Sequence, residues 1–191
     1  MQVKRLSKAF FLGSYLGGTV AVWIIAWVVW AYLWIDYDWT YYDSYIDIEE
    51  PAWWFILPLL IIPIAIFVFT VVCVFIHKAW ASIQDGHART GPCKALGFLF
   101  IPFFNFYWVF QAVWGFAVDF NKYVARNNIS AAPRLPEGLF LTYSILYVAA
   151  IIPFVGIAIS IANFIIGAIL ISKVCDSVNA LPARVAEVTP V

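Results

Sequence analysis

The chain has 191 residues, of which 64% are hydrophobic and only 12% charged, and its mean hydropathy is +0.90. Soluble domains carry roughly 25% charged residues, so this chain cannot cover itself with polar surface, and a membrane protein of several spans is the class that fits. The formal net charge of zero argues against nucleic acid as a main partner, and the three scattered cysteines, Cys73, Cys93 and Cys175, contain no CxxC and make no disulfide framework.

The N-terminus is short and basic, with Lys4, Arg5 and Lys8, and an uncharged run follows over 9–35. That run is too long for the apolar core of a signal peptide and lacks an A-x-A-like end. It predicts a first spanning helix, since about 20 apolar residues cross a bilayer core. Gly13 and Gly17 form a GxxxG, which permits close approach of two helix backbones. Trp23, Trp27, Trp30 and Trp34 recur at helical spacing and project from one side. They read as a lipid-facing or packed aromatic ridge, or as a subunit interface.

The segment 36–50, DYDWTYYDSYIDIEE, holds Asp36, Asp38, Asp43, Asp47, Glu49 and Glu50 and no base. It lacks the sixth-position glycine and distal glutamate of a calcium loop. Two readings stand: a solvated outer loop, or an acidic mouth that concentrates cations. A second span is expected over 53–76, kinked by Pro58 and Pro63. It runs on through His77, Lys78 and Trp80 to Gly86. The connector holds His87, Arg89, Gly91 and Pro92, and neither histidine has a carboxylate or cysteine at ligand spacing.

A third span is expected over 95–118. Pro102 disfavours helix at Ile101, so this is either a kinked span or a short half-helix joined to a longer one. Beyond the break, Gln111, Gly115, Asp119, Lys122 and Arg126 share one helix face. A loop with Pro133 and Pro136 follows. The fourth uncharged run, 138–172, would be about 52 Å long as one straight helix, well beyond a core of about 30 Å. Ile152-Pro153-Phe154-Val155-Gly156 supplies a break, so a broken fourth span is expected, with a helix tail through Asn179. Gly156, Ser160, Asn163 and Gly167 form a small-and-polar stripe on it.

Ile101-Pro102-Phe103 precedes Gly115 much as Ile152-Pro153-Phe154 precedes Gly167. Paired interrupted helices can mark a transport site, although an Ile- and Phe-rich chain produces such matches by chance. With four spans and both termini in the cytoplasm, the inner segments hold Lys4, Arg5, Lys8, Lys78, Arg89, Lys94, Lys173 and Arg184, and the outer ones Lys122, Arg126 and Arg134. The bias has the expected sign. The three outer bases either pair with the acidic loop or signal a re-entrant third run.

The run Gly97-Phe98-Leu99-Phe100-Ile101-Pro102-Phe103-Phe104-Asn105-Phe106-Tyr107-Trp108 resembles the core signature of a family of uncharacterised small multi-span bacterial membrane proteins. The Ile-Pro-Phe-Val-Gly of the fourth run is similar to their C-terminal half. The resemblance covers roughly 78–181. It implies a membrane fold in the bacterial inner membrane and carries over no activity, cofactor or catalytic residue.

No GxSxG, HExxH, P-loop or dinucleotide fingerprint is present, and the span interiors hold no Asp, Glu, Lys, Arg or His. An enzyme is therefore not expected, and neither is a cofactor or a metal. The sequence expectation is an all-α, four-span domain over 1–191 that associates with itself in lipid. One reading is a homo-oligomeric channel for ions, lined by Gln111, Asp119, Ser160 and Asn163. Gly13, Gly17, Gly156 and Gly167 would then pack helices, and Asp36, Asp38, Asp43 and Asp47 would form an acidic outer mouth. By analogy of size and architecture, such a channel fits a membrane-depolarising effector of bacterial antiviral defence. The other reading is a scaffold or chaperone that binds other spanning helices.

Overall fold

The computed structural model describes residues 5–40, 53–152 and 156–182, with side chains outside 32–40, 53–58 and 60. The described chain is all-helical. Its elements are α1 (Lys8–Thr40), α2 (Trp53–Ala81), α3 (Pro92–Gly97), α4 (Phe104–Val109), α5 (Gly115–Arg126), α6 (Glu137–Ala149) and α7 (Gly156–Asn179). A 3₁₀ turn, Phe98–Phe100, follows α3, and a π turn, Phe110–Trp114, joins α4 to α5.

Local chemistry explains the helix starts. Ser7 caps α1: its hydroxyl accepts from the Phe10 amide at 3.3 Å and its carbonyl from the Phe11 amide at 3.0 Å. Pro92 opens α3, where its missing N–H costs nothing. Glu137 sits in the first turn of α6, where negative charge favours the helix dipole. Three helices are long and apolar enough to cross a membrane, over Lys8–Ala31, Ile61–Ala81 and Gly156–Asn179. The α1 helix continues through Asp36 and Asp38 to Thr40, into the segment expected as loop. Asp43 and Asp47 lie outside the described residues. The α2 helix runs unbroken past Pro58 and Pro63.

Two compact units emerge, residues 13–72 and residues 1–12 with 73–191. In the first, the middle parts of α1 and α2 meet at Gly18, where an added Cβ would fall on a methyl of Val68. Gly13 and Gly17, the expected packing glycines, have nothing within 4 Å of such a Cβ.

The second unit contains the core, built from Trp80, Ile83, Ala112, Phe116, Phe120, Phe140, Val174 and Cys175. Here the third and fourth apolar runs depart from single spans. Residues 92–126 form a hairpin: the Trp108 indole donates to the Ala95 carbonyl at 3.0 Å, and Phe98 meets the Trp108 and Phe104 rings edge-on at 4.7 and 5.6 Å. Both feet of the hairpin return to the connector after α2, because Asp85 pairs with Arg126 at 2.7 Å and Arg89 with Asp119 at 2.9 Å. The break at Pro102 therefore reverses the chain, where a kinked span, a half-helix joined to a longer one or a re-entrant run was expected.

The fourth run is also divided into two helices, α6 and α7, which pack against each other. Helix α6 has 13 residues, about 20 Å, too short to cross a core of about 30 Å by itself. Two asparagines clamp chain segments onto this unit by pairing with a peptide group on both sides. Asn121 holds Leu135, accepting from its N–H at 2.8 Å and donating to its carbonyl at 2.9 Å. Asn179 holds Leu6 in the same way at 2.8 Å each. Lys8 adds an exposed ion pair to Asp176 at 2.7 Å. The start of α1 also meets the end of α2, with Phe11 and Phe75 5.3 Å apart.

The contrast between adjacent glycines gives a test. Gly18→Ile should lower stability by about 1–3 kcal/mol, the cost of overpacking a close contact, while Gly13→Ala should leave the monomer's unfolding midpoint in detergent unchanged. Equal effects of both substitutions would remove Gly18 from its role in α1–α2 packing.

Candidate functional site

The polar face predicted on the third run is occupied by Arg89. Gln111, Gly115 and Asp119 stand one above another on the π turn and α5, and the arginine lies along them. Its Nε and Nη2 donate to Asp119 Oδ1 at 3.0 and 2.9 Å, its own backbone N–H donates to Asp119 Oδ2 at 2.9 Å, and its Nη1 donates to Gln111 Oε1 at 3.2 Å. Gly115 makes room between them: an added Cβ would come within 2.9 Å of Arg89 Nη1. The Asp119 side chain is 9% exposed and that of Arg89 32%. The pair is largely desolvated and completed by several hydrogen bonds, the geometry a buried ion pair requires.

The π turn has its own reinforcement. Trp80 is fully buried, and its indole donates to the Ala112 carbonyl at 3.0 Å. Its ring meets Phe116 edge-on at 5.5 Å. Two turns beyond Asp119 along α5, Arg126 donates to Asp85 Oδ2 at 2.7 Å, and the His87 amide donates to Asp85 Oδ1 at 3.0 Å. Burial pushes the Asp85 carboxyl up, but the hydrogen bonds and charges of Arg126 and His87 outweigh it and hold the pKa below the ordinary value. Gln111, the π turn and α5 are thus fastened to the end of α2 and the connector after it, by Trp80, Asp85 and Arg89.

A second polar group lies near the ends of the two hairpins. The Asn105 amide donates to the Tyr147 hydroxyl at 3.0 Å, which ties α4 to α6. The Asn105 and Asn163 carboxamide oxygens are both buried without a hydrogen-bond partner. Ser160 is exposed on α7, and Gly167 is buried. Gly156 packs tightly, its added Cβ falling 2.6 Å from the Ala150 carbonyl oxygen. Of the four expected lumen residues, Gln111 and Asp119 share Arg89, and no hydrogen bond among the described residues joins them to Ser160 or Asn163. Cys93 Sγ lies 3.9 Å from His77 Nε2, a proximity that sequence spacing hides. No group of three or more candidate metal ligands forms among the described residues.

The helical period predicts the Gln111–Gly115–Asp119 face but not its partner. A glycine between an amide and a carboxylate is the imprint of a planar cation laid along a helix, and Arg89 is the base nearest to that face on the preceding connector. The asparagine clamps leave no comparable signal. Comparison with protein-family models, with curated proteins and with solved structures returned no match.

Two outcomes follow. Arg89→Ala strands a largely buried carboxylate and should cost about 3–5 kcal/mol. Adding Asp119→Ala should recover part of that loss, so the double variant is more stable than the sum of the single changes; strict additivity in thermal unfolding would break the proposed pairing. For Asp85, a lowered folded-state pKa means its contribution is fully present above the unfolded value of about 3.9 and is lost as pH falls through the folded value. Asp85→Asn should therefore flatten the stability decline below about pH 4 and leave the protein less stable at pH 7.

Proposed function

We propose that this chain is an integral membrane protein that assembles with itself and serves as a scaffold for spanning helices. The observation that carries the reading is the division of its side chains. Asp119 and Arg126 of the polar face are engaged internally, by Arg89 and Asp85, while uncharged faces are left outward. Ile157, Ile161, Ile165 and Ile169 recur at every fourth position of α7 and are all exposed. Ile24, Trp27 and Val28 are exposed on α1, and Gly13 and Gly17 have open space around them, as a helix needs where a second backbone is to approach.

The topology we propose has α1 and α2 as full spans, with the hairpin 92–126 and the α6–α7 pair both entering from one side. The ion pairs at the hairpin feet support it. With Lys122, Arg126 and Arg134 on the side of Lys78 and Arg89, all 11 Lys and Arg residues flank that side, and the acidic segment 36–50 carries none. This satisfies the positive-inside rule more fully than four spans and makes the basic side cytoplasmic. The inner membrane of a bacterium is the setting that the resemblance in the sequence implies.

A second reading, an ion-conducting assembly, is favoured by one observation: Asn163 has an unpartnered oxygen on the same helix as exposed Ser160. A polar group in lipid should face protein or water, and a lumen between copies would satisfy it. That lumen would be lined from α7, without Gln111 and Asp119. The membrane-depolarising role belongs to this reading.

Oligomer size in mild detergent and ion flux in liposomes separate the two. The scaffold reading expects a homo-oligomer without flux, dispersed by Gly17→Ile while the monomer stays folded. Flux that Asn163→Leu abolishes at unchanged oligomer size would select the channel. A wild-type monomer without flux would end both.

A further inference from the structure

The tip of the first hairpin is built as a turn for hydrocarbon. Phe103 adopts φ 63° and ψ −42°, and the Phe104 amide donates across it to the Pro102 carbonyl at 2.7 Å. This is a γ-turn of the left-handed, strained kind, rare for any residue with a side chain. Its consequence is twofold. First, Phe103 projects outward and is 85% exposed, more than any other exposed large hydrophobic residue described, with Ile101 beside it at 45%. Second, the turn pairs the backbone N–H of Ile101, Phe104, Asn105 and Phe106, which leaves that of Phe103 as the open donor between them. The Ile101 amide donates to Phe98, the Asn105 amide to Ile101 and the Phe106 amide to Phe103, and Pro102 has no N–H to place.

That pairing of donors, complete but for Phe103, bears on what surrounds the tip. Water would satisfy a turn's backbone without help, whereas hydrocarbon offers no partner and each open group costs several kcal/mol. No charge lies between Lys94 and Asp119, and the charged groups gather at the hairpin feet. The adjoining end of α6 repeats the pattern: the amides of Ala150, Ile151 and Ile152 donate to Leu146, Val148 and Ala149, and Ile151 and Ile152 are exposed. The Asn105–Tyr147 bond fixes this end beside the first tip, and α6 leads directly to α7, a helix apolar and long enough to cross a membrane.

We propose that the segment around Ile101–Phe104 is a re-entrant lipid anchor, a strained apolar wedge that enters the acyl-chain region from the basic side and returns to it. It rests on the membrane reading above, and its occupant is lipid acyl chains rather than a second copy or a soluble partner.

Spin labels in liposomes of zwitterionic phospholipid test this. The labels are attached at Phe103→Cys, at Lys122→Cys beyond the hairpin and at Ile24→Cys on α1, with native cysteines replaced by alanine. A background that retains buried Cys175 serves if the full replacement misfolds. Collision with oxygen, which concentrates in hydrocarbon, is compared with collision with a water-soluble nickel chelate. The anchor predicts a label at 103 reached by oxygen and shielded from nickel as at 24, with the opposite preference at 122. Access of nickel to 103 while 24 stays shielded would overturn the anchor and leave the membrane reading standing, and access at both would overturn both. A label at 103 shielded from both reagents would mean a protein-covered tip and would also overturn the lipid anchor.

Discussion

The contact on which the larger unit depends is the docking of Arg89 along Gln111, Gly115 and Asp119. Without it, an uncharged run such as 95–118 has one obvious course, straight across the bilayer. Asp119 would then emerge on the far side with nothing in the acidic segment 36–50 to neutralise it. With it, the carboxylate is held beside the connector that follows α2, and the chain between must turn back on itself. Pro102 and the γ-turn at Phe103 supply the reversal. Trp80, Asp85 and Arg126 extend the same fastening over the rest of α5. A buried ion pair is weak evidence for stability as such. Here its consequence is for the path of the chain: the segment after the hairpin begins beside the connector that follows α2.

The sequence conveyed the solvent of this protein more clearly than its path. Composition and run length pointed to lipid, and the three longest apolar helices lie where the uncharged runs predicted. Breaks were also legible, since proline and glycine act locally: helix is interrupted at Pro102, and α6 ends at Ala149 and α7 starts at Gly156. Whether a break kinks a helix or reverses it was not legible. That depends on partners distant in sequence, Arg89 with Asp119, Asp85 with Arg126, and Asn105 with Tyr147, none of which periodicity brings together. The positive-inside count held a hint, because Lys122, Arg126 and Arg134 had no comfortable place on the outer side.

The candidate site was legible in the same partial way. Helical spacing put Gln111, Gly115 and Asp119 on one face, and they do share it. Spacing could not tell a lumen wall from the seat of an arginine, since both need polar and small side chains in line. Gly17 and Gly18 make the same point. The GxxxG pattern selects Gly13 and Gly17, while the contact with Val68 within the chain falls on Gly18, because the pattern marks a small face and not the partner that meets it. Among the described residues, the carboxamide oxygens of Asn105 and Asn163 are the buried side-chain polar atoms without a hydrogen-bond partner.

The central claim is that the hairpin 92–126 starts and ends on the basic side, and thiol labelling at Arg134 tests it most directly. Arg134→Cys, in a chain without other accessible cysteines, is treated in intact cells with a membrane-impermeant thiol reagent, with Ser44→Cys as the outer-side comparison. The account predicts that position 44 reacts at once and that position 134 reacts only after the membrane is permeabilised. Reaction of position 134 in intact cells would mean that the third apolar run crosses the bilayer, and would contradict the hairpin.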